Sequence, residues 1–333
     1  MPKMPVTVLG AGSFGTAIAH SLALRGQKVT LWCRNPEQAR AINEGHKNPK
    51  HLKDCELSLS LTAVSDLDLA LSADHIILAV PTQSLRSLLE RVKNFPLEGK
   101  RFLCLSKGME ISTGLMPDRI FQEMLPGMSF SVLSGPSHAE EVVRNLPTAV
   151  IVASHDPAAA LDWQALLNSP HFRVYTSGDV LGVELGAAVK NVIAIAVGAA
   201  YALKLGDNAR AALATRGLAE IMRLGLAMGA ELSTLAGLAG VGDLMVTCYS
   251  MHSRNFRFGM AIGRGAGADE AAAEIGEVVE GAHTVKALVA VARSKGVELP
   301  ISEGVHSLLY EGAALQEVIG RLLFREPKPE HRV

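Results

Sequence analysis

Cysteine is scarce in this chain of 333 residues, and charge of a single sign is missing. The four cysteines, Cys33, Cys55, Cys104 and Cys248, are scattered and form no C-x-x-C pair. This spacing argues against a structural zinc site and against a disulfide framework. The 32 basic and 33 acidic residues leave a net charge of −1. We therefore expect no nucleic-acid-binding surface.

We also expect neither a membrane-spanning apolar run nor a leader segment. The first apolar strand begins close to the N-terminus, which leaves no room for a signal peptide. The longest apolar helical run, residues 192–203, is shorter than the roughly 20 residues that a bilayer requires. Residues 325–333 mix both charges with two prolines and are expected to form a solvated tail. We expect a cytoplasmic protein without membrane insertion.

The apolar residues that are present follow two different patterns. Short β-branched runs alternate with helical periodicity as far as residue 176. From residue 179 onward only helical periodicity appears, broken by glycine loops. The first pattern predicts a doubly wound, mainly parallel, Rossmann-like sheet built from βαβ units. The predicted fold is thus α/β over residues 1–178, followed by an all-helical domain over residues 179–333.

The stretch that organises the first half is a glycine loop. Residues 6–9 read as a buried strand, and a helical pattern begins at Thr16. Between them stand Gly10, Gly12 and Gly15, with the spacing G-x-G-x-x-G. This order of strand, turn and helix is the context that a dinucleotide fingerprint needs. The glycines allow a tight turn and a close approach of the pyrophosphate, which the start of the helix then holds.

A basic residue ends the second predicted strand. NAD-preferring sites usually place an Asp or Glu about 20 residues past the glycines, where it binds the ribose 2′-hydroxyl. Arg34 stands there instead. A guanidinium can pair with a 2′-phosphate, so we predict NADPH as the preferred cofactor, with NAD possible. The alternative is that Arg34 stacks on the adenine or is solvated.

Polar residues follow two later strands, at the sheet edge where ligands bind. Lys107 lies in the loop that follows the strand predicted at 101–105, and it either points into a cleft or is an ordinary exposed loop lysine. Ser137 is expected to cap a helix that starts near His138. His138, Glu140 and Glu141 match no compact metal site, and we predict no metal.

The helix predicted at 180–203 carries an unusual lysine. Lys190 has Gly186, Ala187, Ile193 and Ala194 as its neighbours three and four residues away. It therefore either extends to solvent at a domain interface or lies partly buried in a site. Burial would lower the pKa of its amine, which suits acid–base catalysis near neutral pH.

Two motifs follow in the second half. Asp243 comes after a glycine-rich stretch and is either a helix cap or a site residue. Ser253 is a natural cap for a helix over residues 254–263. The N–H groups of Arg254 and Asn255, with the guanidinium of Arg254, would form a small-phosphate site. The alternative is an ordinary capped helix with a solvated arginine.

Taken together, these stretches resemble the bacterial NAD(P)-dependent glycerol-3-phosphate dehydrogenase family over nearly the whole chain. Each motif alone is weak, but their order is specific. The motifs are Gly10-Ala-Gly-Ser-Phe-Gly15, Ala79-Val-Pro81, Ser106-Lys-Gly108, Ser134-Gly-Pro-Ser137, Lys190-Asn191, Gly240-Val-Gly-Asp243, Ser253-Arg-Asn255 and Val278-Val-Glu-Gly281. The resemblance implies reversible hydride transfer between NAD(P)H and dihydroxyacetone phosphate, giving sn-glycerol 3-phosphate for phospholipid synthesis.

The resemblance also implies roles for individual residues. Lys190 resembles the family's proton acceptor, which would protonate the developing alkoxide during reduction. The implied substrate-binding residues are Lys107, Gly135, Ser137, Lys190, Asp243, Ser253, Arg254 and Asn255. The implied cofactor-binding residues are Gly10, Gly12, Ser13, Phe14, Gly15, Arg34, Lys107, Ala139, Arg254, Val278 and Glu280. Phe14 stands where the family often has Trp, and Phe256 stands where it often has a basic residue.

Two other functions remain open at this point. One is a different two-domain NADP-dependent ketone reductase, acting on another phosphorylated or carboxylated ketone. The other is a non-catalytic NADPH-sensing protein, for which a buried Lys190 would have no use. The apolar faces of the helical domain also suggest a homodimer.

Overall fold

The computed structural model describes residues 4–324, so the predicted solvated tail lies outside the described residues. One eight-stranded sheet occupies the first part of the chain, and helices alone make up the rest of what the structure describes. We call these parts the sheet half (residues 5–177) and the helical half (residues 180–323). The predicted fold class is confirmed.

The strands match the predicted ones closely. They are β1 (Pro5–Leu9), β2 (Lys28–Trp32), β3 (Leu61–Val64), β4 (His75–Leu78), β5 (Arg101–Cys104), β6 (Ser129–Ser134), β7 (Thr148–Ser154) and β8 (Phe172–Ser177). Their order across the sheet is β3-β2-β1-β4-β5-β6-β7-β8. The chain therefore builds outward from β1 in one direction and then continues from β4 in the other. The crevice between the ends of β1 and β4 is the switch point where such sheets bind ligands.

The helices of the sheet half pack on both faces of the sheet. They are α1 (Ser13–Leu24), α2 (Pro36–Gly45), α3 (Leu67–Ala70), α4 (Thr82–Val92), α5 (Pro117–Met124), α6 (Ala139–Val142) and α7 (Pro157–Leu167). The α-helices of the helical half are α8 (Val180–Ala202), α9 (Gly206–Met228), α10 (Leu232–Leu235), α11 (Asp243–Tyr249), α12 (Arg254–Gly263), α13 (Ala268–Ile275), α14 (Glu280–Ser294), α15 (Pro300–Tyr310) and α16 (Leu315–Leu323). A short π-helix over Leu238–Gly242 connects α10 to α11.

Strand β7 departs from the predicted βαβ repetition, because it runs antiparallel to β6. The only helix between them, α6, has four residues. At about 1.5 Å per residue, such a helix is too short to carry the chain back along the sheet. The chain therefore enters β7 from the edge at which β6 ends. The loop that contains Gly135 and Ser137 stays at the ligand-binding edge as a result.

Helix α8 is the centre of the helical half, and α9, α11, α12 and α14 pack around it. Two glycines let α8 and α12 approach to backbone contact. A Cβ on Gly198 would overlap the carbonyl oxygen of Phe256, and a Cβ on Gly259 would overlap that of Ile195. This close crossing fixes the start of α12 relative to the middle of α8.

The prediction that every apolar helical run is too short to span a bilayer is wrong. Two stretches of the described chain, residues 180–202 and 232–249, are long and apolar enough to cross a membrane by length and composition alone. The prediction missed this because it counted the apolar run only from residue 192. In α8, 89% of the apolar window is buried inside the protein, as in the core helix of a soluble domain.

Helices α5, α10 and α13 lie where the sequence predicts none, and α10 has only four residues. Helix α5 begins with Pro117 at its first position, buries Ile120 and Phe121, and leaves Arg119 exposed. Helix α13 follows Gly267 and buries Ala271 and Ile275. Both have only eight residues, so their periodicity is too short to stand out from the sequence.

Substituting Gly259 tests the backbone crossing of α8 and α12. We expect Gly259→Ala to cost about 2–3 kcal/mol, because the new methyl group must push two helices apart. The matched control is Gly320→Ala in α16, where a Cβ would meet no atom within 4 Å. That change should stabilise the protein by about 0.5–1 kcal/mol. Equal thermal unfolding midpoints of the two variants would contradict the close backbone contact of α8 with α12.

Candidate functional site

The loop after β1 has the shape that a dinucleotide requires. Gly10 has a φ of +123°, and a Cβ there would overlap the carbonyl oxygen of Ala79. A Cβ on Gly15 would overlap the carbonyl oxygen of Gly10, so α1 packs directly on the loop. Around the Cβ position of Gly12, no described atom lies within 4 Å. No described side chain caps α1, so its first N–H groups face this space and fit a pyrophosphate.

Arg34 lies two residues after the end of β2, at the same edge of the sheet. Its side chain is exposed, and within residues 4–324 its guanidinium has no hydrogen-bond or ion-pair partner. This position fits a 2′-phosphate, an adenine face or solvent equally well. The choice between the three therefore stays a prediction.

The loops after β5 and β6 meet at Lys107. Its Nζ lies 2.9 Å from Asp243 Oδ2 and 3.4 Å from the carbonyl oxygen of Gly135. The same Nζ lies 5.8 Å from the ring centroid of Phe14, which places the ammonium over the aromatic face. Lys107 is therefore a side chain of the cleft, and its interpretation as an ordinary loop lysine is wrong.

Ser137 is not the helix cap that the sequence suggests. His138 precedes α6 in the cap position, and Ser137 Oγ instead donates a hydrogen bond of 2.8 Å to the Gly135 carbonyl. Gly135 has a φ of +125°, a value that favours glycine. The turn at Gly135 engages the Ser137 hydroxyl. Helix α6 therefore begins one residue later than it would with Ser137 as its cap.

Lys190 lies in the middle of α8 and is buried, with 6% of its side chain exposed. Its Nζ lies 2.5 Å from Asp243 Oδ1 and donates a hydrogen bond of 2.9 Å to Thr247 Oγ1. The alternative in which Lys190 extends to solvent is therefore wrong. The ammonium is held inside the protein at the boundary between the two halves.

Asp243 joins the two lysines. It is the first residue of α11 rather than its cap, and only 2% of its side chain is exposed. Its Oδ1 faces Lys190, whereas its Oδ2 accepts from Lys107 and, at 3.2 Å, from Ser134 Oγ. One buried carboxylate therefore bridges a loop of the sheet half and the central helix of the helical half.

Burial and charge set the protonation of this cluster. Burial lowers the pKa of Lys190 to about 7, against the raising effect of the Asp243 carboxylate. Burial alone would raise the pKa of Asp243. The charges of Lys107 and Lys190 outweigh that effect and hold the pKa of Asp243 below its usual value. The cluster thus combines a firmly ionised carboxylate with a lysine that exchanges a proton near neutral pH.

Two members of the cluster were missed from the sequence. Thr247 Oγ1 accepts from Lys190 and donates to the backbone carbonyl of Asp243. Because Thr247 is four residues after Asp243, the helical spacing could have indicated a shared face. Ser134 ends β6, and only the three-dimensional structure brings it to Asp243.

The start of α12 lies beside the same cluster. Ser253 caps the helix as predicted, since its Oγ accepts from Phe256 N at 3.2 Å. Asn255 Nδ2 donates to Asn191 Oδ1 at 2.9 Å, which ties α12 to the residue after Lys190. Arg254 Nη1 lies 3.2 Å from Glu277 Oε2, so its guanidinium is paired rather than simply solvated.

Glu280 closes the cleft from α14. Its Oε1 accepts from Thr82 N at 3.2 Å, and burial raises the pKa of its carboxyl to about 7. Its Oε2, Thr82 Oγ1 and Thr284 Oγ1 are buried and have no hydrogen-bond partner among the described residues. All three lie within 3.1 Å of the Cβ position of Gly108, so this glycine lets them converge.

The remaining cofactor positions suggested by the resemblance offer backbone or apolar surface. Ala139 is the first residue of α6 and is buried, with α6 packed on α1. Val278 is 39% exposed in the loop before α14. Among the described residues, no three His, Cys, Asp or Glu side chains are placed to hold a metal ion.

Family models match both halves of the chain. The model described as the N-terminus of NAD-dependent glycerol-3-phosphate dehydrogenase matches residues 5–160. The model described as its C-terminus matches residues 179–320. The two matches leave only a short segment around β8 uncovered between them.

Individual relatives agree with this result. The chain is 45% identical over 329 residues to a glycerol-3-phosphate dehydrogenase [NAD(P)+] of Pseudomonas fluorescens, covering 98% of this chain and 93% of that protein. It is 46% identical to the protein of the same name from Halorhodospira halophila, covering 98% of both. A crystal structure of glycerol-3-phosphate dehydrogenase from Coxiella burnetii superposes with a TM-score of 0.94 at 38% identity, covering 97% of this chain and 99% of that one.

Removing the Asp243 charge tests the cohesion of the cluster. We expect Asp243→Asn to cost about 3–5 kcal/mol of stability, because two ammonium groups then lose their buried counter-charge. The control is Asp207→Asn, since Asp207 pairs with Arg210 on the surface and its side chain is 88% exposed. Denaturant unfolding should show only a small effect for that control. A loss of similar size in both variants would contradict the bridging role of Asp243.

Proposed function

The chain belongs to the NAD-dependent glycerol-3-phosphate dehydrogenase family, and we propose the reaction that it catalyses from the names of its relatives. It is an NAD(P)-dependent oxidoreductase acting on a CH–OH group. The reaction is reversible hydride transfer between NAD(P)H and dihydroxyacetone phosphate, giving sn-glycerol 3-phosphate. A product of this kind serves glycerophospholipid synthesis.

The observation that carries the proposal is the buried cluster of Lys107, Asp243 and Lys190. A ketone reduced to an alcohol needs a proton at the oxygen that becomes the hydroxyl. Lys190 is a buried ammonium with a lowered pKa, at the end of the glycine-loop cleft where helical and sheet halves meet. A non-catalytic nucleotide sensor has no use for such a group.

We propose the following division of roles. When bound, NAD(P)H supplies the hydride chemistry, and the protein orients the substrate and polarises its carbonyl group. Lys190 donates its proton to the substrate oxygen during reduction and takes it back during oxidation. Lys107 adds positive charge near the same oxygen, which stabilises developing negative charge. Asp243 keeps both ammonium groups in position.

The other site residues are proposed to bind rather than react. Substrate contacts are assigned to Gly135, Ser137, Ser253, Arg254 and Asn255, with the phosphate at the start of α12. This assignment is supported by the helix start and by the guanidinium of Arg254. Asn255 acts mainly through its bond to Asn191, which fixes the phosphate side relative to Lys190.

The cofactor site is proposed along the β1–β4 crevice. The glycine loop with Ser13 and Phe14 would hold the pyrophosphate side, and Arg34 a 2′-phosphate, so NADPH is favoured over NADH. Ala139, Val278 and Glu280 would line the nicotinamide side with Lys107. Support comes from the open Cβ position of Gly12 and the exposed guanidinium of Arg34.

Three further features are proposals as well. We propose a domain boundary between residues 178 and 179, supported by the change from strands to helices after β8. We propose a cytoplasmic homodimer, supported by exposed apolar side chains on the helical half such as Leu205, Leu226 and Leu232. We also propose that the protein neither binds nucleic acid nor inserts into a membrane, which is supported by the net charge of −1 and by the burial of α8 inside the protein.

Replacing Lys190 tests the acid–base role. We expect Lys190→Met to lower kcat for dihydroxyacetone phosphate reduction by roughly 10²–10⁴. In the wild type, reduction needs the ammonium, so its rate should fall as pH rises past about 7. Oxidation of glycerol 3-phosphate needs the neutral amine, so its rate should rise over the same range. Steady-state rates from NADPH absorbance give both profiles.

The control for Lys190→Met is Lys295→Met at the exposed end of α14, which should leave both rates unchanged. Full turnover by Lys190→Met would exclude the proposed acid–base role. Fast reduction of a carboxylated ketone, without turnover of dihydroxyacetone phosphate, would favour the other ketone reductase instead.

Reversing the charge at Arg34 tests cofactor preference. We expect Arg34→Glu to lower the ratio of kcat/KM for NADPH over NADH by at least roughly tenfold, since a carboxylate repels a 2′-phosphate. Arg173→Glu, at an exposed position on β8, is the control and should leave the ratio unchanged. An unchanged ratio in Arg34→Glu would remove Arg34 from cofactor selection.

A further inference from the structure

The Glu277 carboxylate joins its own loop to three other segments at the mouth of the cleft. Glu277 Oε2 accepts from Ser13 Oγ at 3.3 Å and from Arg254 Nη1 at 3.2 Å. His51 Nδ1 lies 3.4 Å from the same oxygen. Ser13 opens α1, Arg254 opens α12, and His51 belongs to the irregular segment before β3. The Glu277 side chain is 30% exposed, so a soluble ligand can reach this group of contacts.

The groups that surround Glu277 are those that an anion would use. Ser13 stands at the start of a helix whose first N–H groups carry no side-chain cap, and such helix starts attract anions. Arg254 supplies a guanidinium, a strong partner for phosphate. The hydrogen bond from His51 and the nearby charge of Arg254 lower the pKa of Glu277 to about 2, although burial opposes them. Glu277 is therefore a carboxylate at neutral pH.

We propose that Glu277 is an internal competitor for the anionic groups of the ligands and thereby couples the binding of cofactor and substrate. This inference rests on the proposed function, which assigns Ser13 to the cofactor and Arg254 to the substrate phosphate. A dinucleotide phosphate that arrives at Ser13 must repel or displace the Glu277 carboxylate. Displacement frees the guanidinium of Arg254, which then binds the substrate phosphate more tightly.

Thermodynamic linkage makes this coupling reciprocal. If cofactor raises the affinity for phosphate by some factor, phosphate raises the affinity for cofactor by the same factor. The ion pair between Glu277 and Arg254 is partly exposed, and such a pair contributes up to about 1 kcal/mol. We therefore expect each ligand to raise the affinity for the other roughly fivefold. Glu277 touches no reacting atom in this account, so it is a residue that determines the affinities for cofactor and substrate.

Binding measurements on Glu277→Gln test the proposal directly. The glutamine keeps the shape and an acceptor oxygen but removes the charge. We expect the Kd for NADPH, from nucleotide fluorescence, to fall roughly fivefold. Inorganic phosphate, measured by calorimetry, should bind wild type roughly fivefold more tightly with NADP⁺ than without it. In Glu277→Gln the two phosphate affinities should be equal.

The matched control is Glu274→Gln, in the adjoining helix α13. Glu274 pairs with Arg264 at the surface and lies outside the cleft, so both binding constants should stay at the wild-type values. Glu277→Ala, which removes charge and acceptor together, should show the same loss of coupling. If Glu277→Gln unfolds at a lower temperature than the wild type, Glu277→Ala provides the test instead.

The alternative is a purely structural role for Glu277. If Glu277 serves only to hold the four segments together, its variants will bind NADPH more weakly and will keep the difference between phosphate with and without NADP⁺. Either finding would overturn the proposal. These constants are measured without turnover, so a failure to reduce dihydroxyacetone phosphate would refute the proposed function separately.

Discussion

The bond between one buried carboxylate and two lysines is the constraint on which the site depends. Asp243 accepts from Lys107 of the sheet half and lies 2.5 Å from Lys190 of the helical half. A single buried charge costs several kcal/mol, so each of these groups is stable only in the presence of the others. The loop after β5, the middle of α8 and the start of α11 must therefore meet at one point. The glycine contact between α8 and α12 extends this fixed geometry to Arg254.

The same burial that makes the cluster costly also makes it chemically useful. A lysine in water holds its proton at neutral pH, whereas burial lowers the pKa of Lys190 into the range where it exchanges one. Asp243 opposes this shift and keeps the amine from becoming permanently neutral. The balance between the two effects suits a reaction that runs in both directions. Thr247 adds a hydrogen bond that orients the ammonium without adding charge.

Local features of the site could be predicted from the sequence, whereas contacts between distant segments could not. The glycine loop, the lysine within an apolar helix and the Ser253 cap each have a signal within a few residues. The meeting of Lys107, Ser134 and Asp243 has no such signal, because it depends on how the two halves pack. The antiparallel β7 follows from the shortness of α6, which the βαβ pattern concealed. Glu277 has no local signal in the sequence, and only the fold places it beside Ser13 and Arg254.

The ionisation of Lys190 is the most direct test of this account. Nitrogen-15 labelling of the lysine side chains, with Lys190→Met for assignment, allows the amine to be titrated by NMR. The account predicts a pKa of about 7 for Lys190 in the wild type, and a lower pKa in Asp243→Asn, because the carboxylate raises it. A pKa near the ordinary lysine value of 10.5 in both proteins would contradict it.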